Sequence, residues 1–238
     1  MCTVVILIRP GRAPFGRVML AANRDERIDR PWDPPAEYWP GILGGRDRTA
    51  GGTWMALNRA GVVATVLNRP GTLGPAAGKR SRGELPLLAL CHDTAAAAVE
   101  AVTLLDAGDW RGFNMVIADA DGGYFVRGEG VGHPHADALL PGVSMVTAHD
   151  PNDLDSPRTA RHLARFRTAE PELGDWSAWR AILMDRSGAA GEQINVVPRG
   201  GFGTVCSSLL SLPAGGEPEW LFADGPPHEA PFRPIRWA

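Results

Sequence analysis

The first apolar run of the chain, Thr3–Ile8, is short, rich in β-branched residues and without helical period, which predicts a buried strand. A second apolar strand is expected over Arg17–Ala22, after a turn at Pro10–Gly16, with Asn23-Arg24-Asp25-Glu26 at its end, where the next turn begins. Thr53–Leu57 and Val62–Leu67 flank Asn58-Arg59-Ala60-Gly61, a hairpin signal in which Gly61 supplies the positive φ of a tight turn. Ser81 and Glu84 have capping-box spacing ahead of the apolar run Leu85–Leu90, where Pro86 is tolerable only in the first helical turn. An alanine-rich second helix is expected at Thr94–Leu105. Phe113–Ala118 and Tyr124–Arg127 bracket another hairpin turn at Asp119–Gly123, and Ser156–Phe166 and Trp176–Met184 carry helical period. Strand-like pieces return at Thr204–Leu212, Glu219–Phe222 and Phe232–Trp237. Hairpin runs alternating with helix pairs argue for an antiparallel α+β layered fold rather than a parallel doubly wound sheet.

Composition narrows the function classes. Of 238 residues, 44% are hydrophobic and 21% charged, which is globular rather than disordered. A single domain over 1–238 is expected, since no boundary signal is stronger than the Pro/Asp-rich stretch at Asp150–Pro157. Twenty-four basic against 27 acidic side chains give a net charge of −3, without the cationic excess of a nucleic-acid binder. The early apolar run is far shorter than the roughly 20 residues that span a bilayer. No secretory signal is recognised, so a cytoplasmic protein without a membrane span is expected. Cys2, Cys91 and Cys206 are odd in number and widely spaced, which fits free thiols better than disulfides or a metal site. The six histidines include no HExxH, and His133-Pro134-His135 reads as an exposed loop; no metal site is expected.

Chemistry points first to Cys2. Removal of Met1 would give one residue both a thiol and an α-amine, whose ordinary pKa of about 7.7–8.0 makes it a base near neutrality. That is the logic of an N-terminal nucleophile; the alternative is a small buried hydrophobe at a strand start. Asp25 is placed to orient the α-ammonium and Arg24 to favour the thiolate, while Glu26 also reads as part of a solvated charged turn. Asn68, at a strand end before Arg69-Pro70-Gly71, offers a carboxamide donor to an oxyanion or else ordinary turn chemistry. Gly44-Gly45 and Gly51-Gly52, leading to Thr53-Trp54, either let backbone approach a ligand or form a loop.

Taken together, Met1-Cys2, Asn23-Arg24-Asp25-Glu26, Gly-Gly-Thr-Trp at 51–54 with the following Leu-Asn-x-x-Gly turn and Asn68, Ser-Arg-Gly at 81–83, Phe113-Asn114 and Phe202-Gly203-Thr204 resemble the NRDE family, also called the transport and Golgi organisation 2 family. That family is similar to N-terminal nucleophile hydrolases of the bile-salt hydrolase and penicillin acylase type. The resemblance implies a four-layer αββα sandwich of antiparallel sheets with Cys2 at its centre and Asn68 as oxyanion donor. It implies cleavage of a non-peptide amide through Cys2, Arg24, Asp25 and Asn68, with Asn23, Glu26, Thr53, Trp54, Thr147 and His149 lining a small-molecule or lipid-like ligand. No cofactor is required for such hydrolysis. The competing expectation is a non-catalytic carrier of haem, ligated by His149 or His133, or of an acyl-coenzyme A. Two departures stand out. The hydrolases' Thr-Asn-Ser-Pro segment falls on Thr147-Ala148-His149-Asp150-Pro151, and their Gly-Thr-Arg-Ser-Ser stretch on Gly203-Thr204-Val205-Cys206-Ser207, each losing a polar group.

Overall fold

The computed structural model describes residues 2–11, 17–171 and 175–237, so most of the Pro10–Gly16 turn lies outside the described residues. Thirteen strands and four α-helices are described, in the order β1 (Thr3–Ile8), β2 (Val18–Arg27), β3 (Trp32–Trp39), β4 (Ile42–Asp47), β5 (Met55–Asn58), β6 (Val63–Asn68), α1 (Glu84–Ala89), α2 (Ala95–Thr103), β7 (Phe113–Asp119), β8 (Gly122–Gly128), β9 (His135–Ala138), β10 (Gly142–Val146), α3 (Pro157–Thr168), α4 (Ser177–Leu183), β11 (Phe202–Leu212), β12 (Glu219–Ala223) and β13 (Phe232–Ile235), with a short 3-10 turn at Ala107–Asp109. The expected alternation of strand runs with helix pairs is therefore present. Every strand pairing is antiparallel.

The chain divides into two compact units, one formed by Met1–Arg30 with Leu140–Ile235, the other by Pro31–Leu139 with Arg236–Ala238. The first holds a six-stranded sheet in the order β10-β1-β2-β11-β12-β13. Strand alternation sends Val5, Leu7, Met19, Ala21, Met145 and Leu209 to the face covered by α3 and α4, where they pack with Leu163, Phe166, Trp176, Trp179 and Leu183. Phe166 and Trp179 meet edge to face at 5.3 Å, a geometry that adds about 0.5–1.5 kcal/mol beyond area burial. α3 begins where Ser156 caps it, accepting from the Thr159 backbone N–H at 3.3 Å, with Pro157 in the first turn where its missing N–H costs nothing.

The second unit is a seven-stranded sheet in simple sequence order from β3 to β9, with α1 and α2 over one face. Ala56, Ala64, Met115, Ile117 and Val126 meet Leu85, Ala89, Ala98 and Val102 there. Gly61, at φ +84, makes the turn of the β5–β6 hairpin as its sequence requires. The turn is anchored by Asn58, whose carboxamide donates to the Leu90 and His92 carbonyls and accepts from Val62 N.

Several expectations need correction. β2 does not stop before Asn23 but continues through Asn23-Arg24-Asp25-Glu26 to Arg27, because β11 pairs with it along its whole length. The N-cap of α1 is Gly83, not Ser81; Ser81 instead accepts from Gly83 N in the preceding turn, and Glu84 pairs with Arg80. His135 is not in a loop: it opens the edge strand β9. Strands β3, β4 and β10 are not expected from the sequence, and Gly44-Gly45, read as backbone open to a ligand or as a loop, lie inside β4. Pro34 and Pro35 sit in β3 at a register irregularity of an edge strand, where missing N–H groups are tolerated. No described helix is long and apolar enough to cross a membrane.

Candidate functional site

Cys2 stands at the head of β1, partly buried. β1 pairs Thr3 with Asn23, so the same register carried one residue outward sets Cys2 opposite Arg24, and Arg24 lies opposite Cys206 on β11. Directly opposed residues of antiparallel strands share a face. Cys2, Arg24 and Cys206 therefore form a row on the face away from α3 and α4. That row depends on an irregularity between Thr204 and Cys206, where Val205 is the extra residue; without it Val205 would oppose Arg24. Two strand spacings put the Cys2 and Cys206 Cα atoms roughly 10 Å apart, beyond the reach of a disulfide.

Arg24 is 5% exposed, and Glu26, two residues along on the same face, comes within 4.0 Å of it. Burial pushes the Cys2 thiol above its ordinary value and the Asp25 charge adds to this, while positive charge, including Arg24, and the hydrogen bond to the Asp25 carbonyl offset part of the rise. The Cys2 Sγ donates to that carbonyl at 3.7 Å. A thiol in this setting stays protonated at neutrality and needs a base to become a nucleophile. Burial drives Cys206 much further up, which leaves it chemically inert.

Asp25 lies on the other face. Its Oδ2 accepts from Arg158 Nη1 at 2.8 Å and its Oδ1 from Thr204 Oγ1 at 2.6 Å, and its side chain is fully buried. Arg158 Nη1 also donates to Thr3 Oγ1 at 2.8 Å, and Thr204 Oγ1 accepts from Val196 N. Asn23 shares this face: its Nδ2 donates to the Leu183 and Ile194 carbonyls and its Oδ1 accepts from Ser207 Oγ. Of the four residues 23–26, only Arg24 and Glu26 share the face of the Cys2 thiol; the Asp25 carboxylate reaches Cys2 through the backbone.

The remaining expected positions are placed as follows. Thr147 Oγ1 donates to Ser156 Oγ at the start of α3, and His149 Nδ1 is 3.3 Å from Asp153. His133 Nδ1 lies 2.9 Å from the Leu105 carbonyl. In the second unit, Asn68 pairs in register with Phe113, and its carboxamide makes no hydrogen bond among the described residues. Thr53 closes a turn, its Oγ1 donating to the Met55 carbonyl. Trp54 packs edge to face with Trp32 at 5.6 Å, and a Cβ on Gly45 would lie 2.3 Å from its ring. A Cβ on Gly52 would meet the Gly83 backbone at 2.4 Å. Gly45, inside β4, and Gly52, in the following turn, thus serve close packing against Trp54 and the Gly83 backbone. Thr204 and Ser207 stand in a motif of the sequence that assigns them no role, and Arg158 carries no signal beyond being a long cation at the start of a capped helix.

Two antiparallel sheets, each carrying its own helix pair, with a cysteine at the head of the first strand, define the class of N-terminal nucleophile hydrolase folds. Solved structures agree: an N-acylethanolamine-hydrolyzing acid amidase ortholog from Caenorhabditis elegans matches with TM-score 0.60 at 12% identity, covering 88% of this chain and 92% of that one. Penicillin V acylase from Agrobacterium tumefaciens matches with TM-score 0.54 at 15% identity, covering 94% and 83%. Within that class the chain belongs to the Transport and Golgi organisation 2 family, whose profile matches residues 1–168. The human Transport and Golgi organization protein 2 homolog is 32% identical over 145 residues, 56% of this chain and 51% of that protein, and the mouse homolog 33% over 119 residues, 47% and 42%. The chain spans about half the length of the curated relatives it matches. The family match contains Cys2, residues 23–26 and Arg158, and ends before β11.

Proposed function

We propose that the protein is an N-terminal cysteine amidohydrolase acting on a non-peptide amide, in the cytoplasm, with Cys2 as both nucleophile and base carrier. The observation that carries this reading is the setting of the Cys2 thiol: at a strand head, beside a buried arginine, and held protonated by burial. Such a thiol reacts only if a base is built in, and removal of Met1 creates one on the same residue.

In the proposed reaction the Cys2 α-amine takes the thiol proton, and the sulfur attacks the amide carbonyl carbon to form a tetrahedral oxyanion. Collapse breaks the C–N bond, the leaving amine takes the proton back from the α-ammonium, and water then hydrolyses the thioester with the α-amine again as base. Arg24 supplies positive charge next to the sulfur. Asp25 acts from behind, through its carbonyl, in holding the thiol. The oxyanion donor is assigned to Asn68 from the segment resemblance. The small-molecule or lipid-like ligand is expected to be lined by Glu26 and by residues around Thr147 and His149.

Intact mass decides the first step: loss of Met1 is expected, and its retention overturns the scheme. On processed protein, a thiol-directed acyl probe is expected to acylate the wild type and not Cys2→Ser. Asn68→Ala should lower turnover about 10²–10³-fold while leaving the thiol open to small alkylating agents.

A further inference from the structure

We infer that Arg158, which lies across the sheet from the Cys2 thiol and never touches it, is a positioning residue for that thiol. The inference rests on the reading of Cys2 as nucleophile. One guanidinium nitrogen, Arg158 Nη1, donates at 2.8 Å both to Thr3 Oγ1, on the residue next to Cys2, and to Asp25 Oδ2, on the residue whose carbonyl receives the thiol. A single atom therefore ties the head of β1 to β2 at the place where Cys2 leaves the sheet. The Arg158 side chain is itself 5% exposed, and Thr204 Oγ1 holds the other Asp25 oxygen at 2.6 Å, so the carboxylate cannot rotate to follow a displaced partner. β1 has no residue beyond Thr3 in its ladder. Without the Thr3 tether the strand head is free to fray, and the Asp25 carbonyl loses its fixed aim at the sulfur.

This arrangement separates two properties that a catalytic group would change together. Freeing the strand head exposes the thiol to water, which relieves the burial that holds it protonated and makes it more reactive toward any small electrophile. The same freedom scatters the sulfur away from the angle needed for attack on a bound carbonyl. Loss of the clamp should thus raise indiscriminate reactivity and lower productive acylation.

Arg158→Lys keeps the charge but loses the reach and the fixed plane that aim one nitrogen at both acceptors. Thr3→Val removes only the hydroxyl acceptor in a strand position that suits valine, and Thr3→Ser restores it. The readout is the pH profile of Cys2 alkylation by iodoacetamide, followed by peptide mass spectrometry with exposed Cys91 as internal reference. Arg158→Lys and Thr3→Val are expected to move the Cys2 midpoint to lower pH and to speed alkylation at pH 7.5 several-fold relative to Cys91, while acyl-probe labelling falls about tenfold; Thr3→Ser should match the wild type. If Thr3→Val leaves the Cys2 profile unmoved, the inference is overturned, whether or not Arg158→Lys folds. A shifted profile in a protein that cleaves no amide would sustain the positioning role and remove the proposed hydrolysis instead.

Discussion

Arg24 and Asp25 are adjacent in the chain, yet the pleat sends one toward the Cys2 thiol and the other toward α3. Their charges act on that thiol with opposite sign, Arg24 lowering its proton affinity and Asp25 raising it. Arg24→Met, which keeps the buried stem and removes the charge, is therefore expected to move the Cys2 titration to higher pH. A midpoint that stays in place would show that the arginine is too well screened to matter. The same pair shows why site residues were only partly legible. The motif positions and Cys2 stand out as chemistry-bearing types, but which face each occupies depends on the register of β1 and β2 and on the irregularity at Val205. Neither is written in local sequence.

At the scale of elements, α3 carries its function in its first turn. Ser156 caps it and also accepts from Thr147 at the end of β10, so one hydroxyl fixes both the start of the helix and its seat on the sheet. Ser156→Ala should cost about 1–2 kcal/mol, read as a lower urea midpoint with unchanged m-value. Elements with a strong local signal were legible: β1, the β5–β6 and β7–β8 hairpins, and all four helices to within a few residues. β2 was cut short because Asn23, Arg24, Asp25 and Glu26 read as a polar turn, whereas partners such as Arg158, 133 positions away, satisfy them inside a strand. β3, with Pro34-Pro35, and the polar edge strand β9 contradict strand propensity and exist because the sheet supplies a neighbour on one side only.

At the scale of the whole molecule, His162, fully enclosed under the first sheet, is expected to contribute acid sensitivity. Its Nε2–H donates to the Glu192 carbonyl and its Nδ1 accepts from Arg165, both at 2.9 Å, a network that fits the neutral ring. Burial lowers its pKa to about 4; the Glu192 carbonyl and Asp185 oppose the fall, while Arg165 and Arg161 assist it. The unfolded chain, with an ordinary histidine near 6.5, takes up a proton that the native state refuses. The stabilisation from the neutral ring is therefore complete above about pH 6.5 and is lost as pH falls toward 4. Urea unfolding at pH 7 and pH 4.5 should show the wild type losing about 2–3 kcal/mol more than His162→Gln over that interval. Equal losses would place the acid sensitivity elsewhere.

The first sheet takes β1 and β2 from the start of the chain but sets β2 against β11, about 175 residues later. During synthesis, at about 5–20 residues per second, the strand bearing Cys2 leaves the ribosome roughly 10–35 seconds before its sheet can close. The Cys2 thiol is open to solvent and reagents through that interval, and the clamp from Arg158 can form only once α3 has emerged as well.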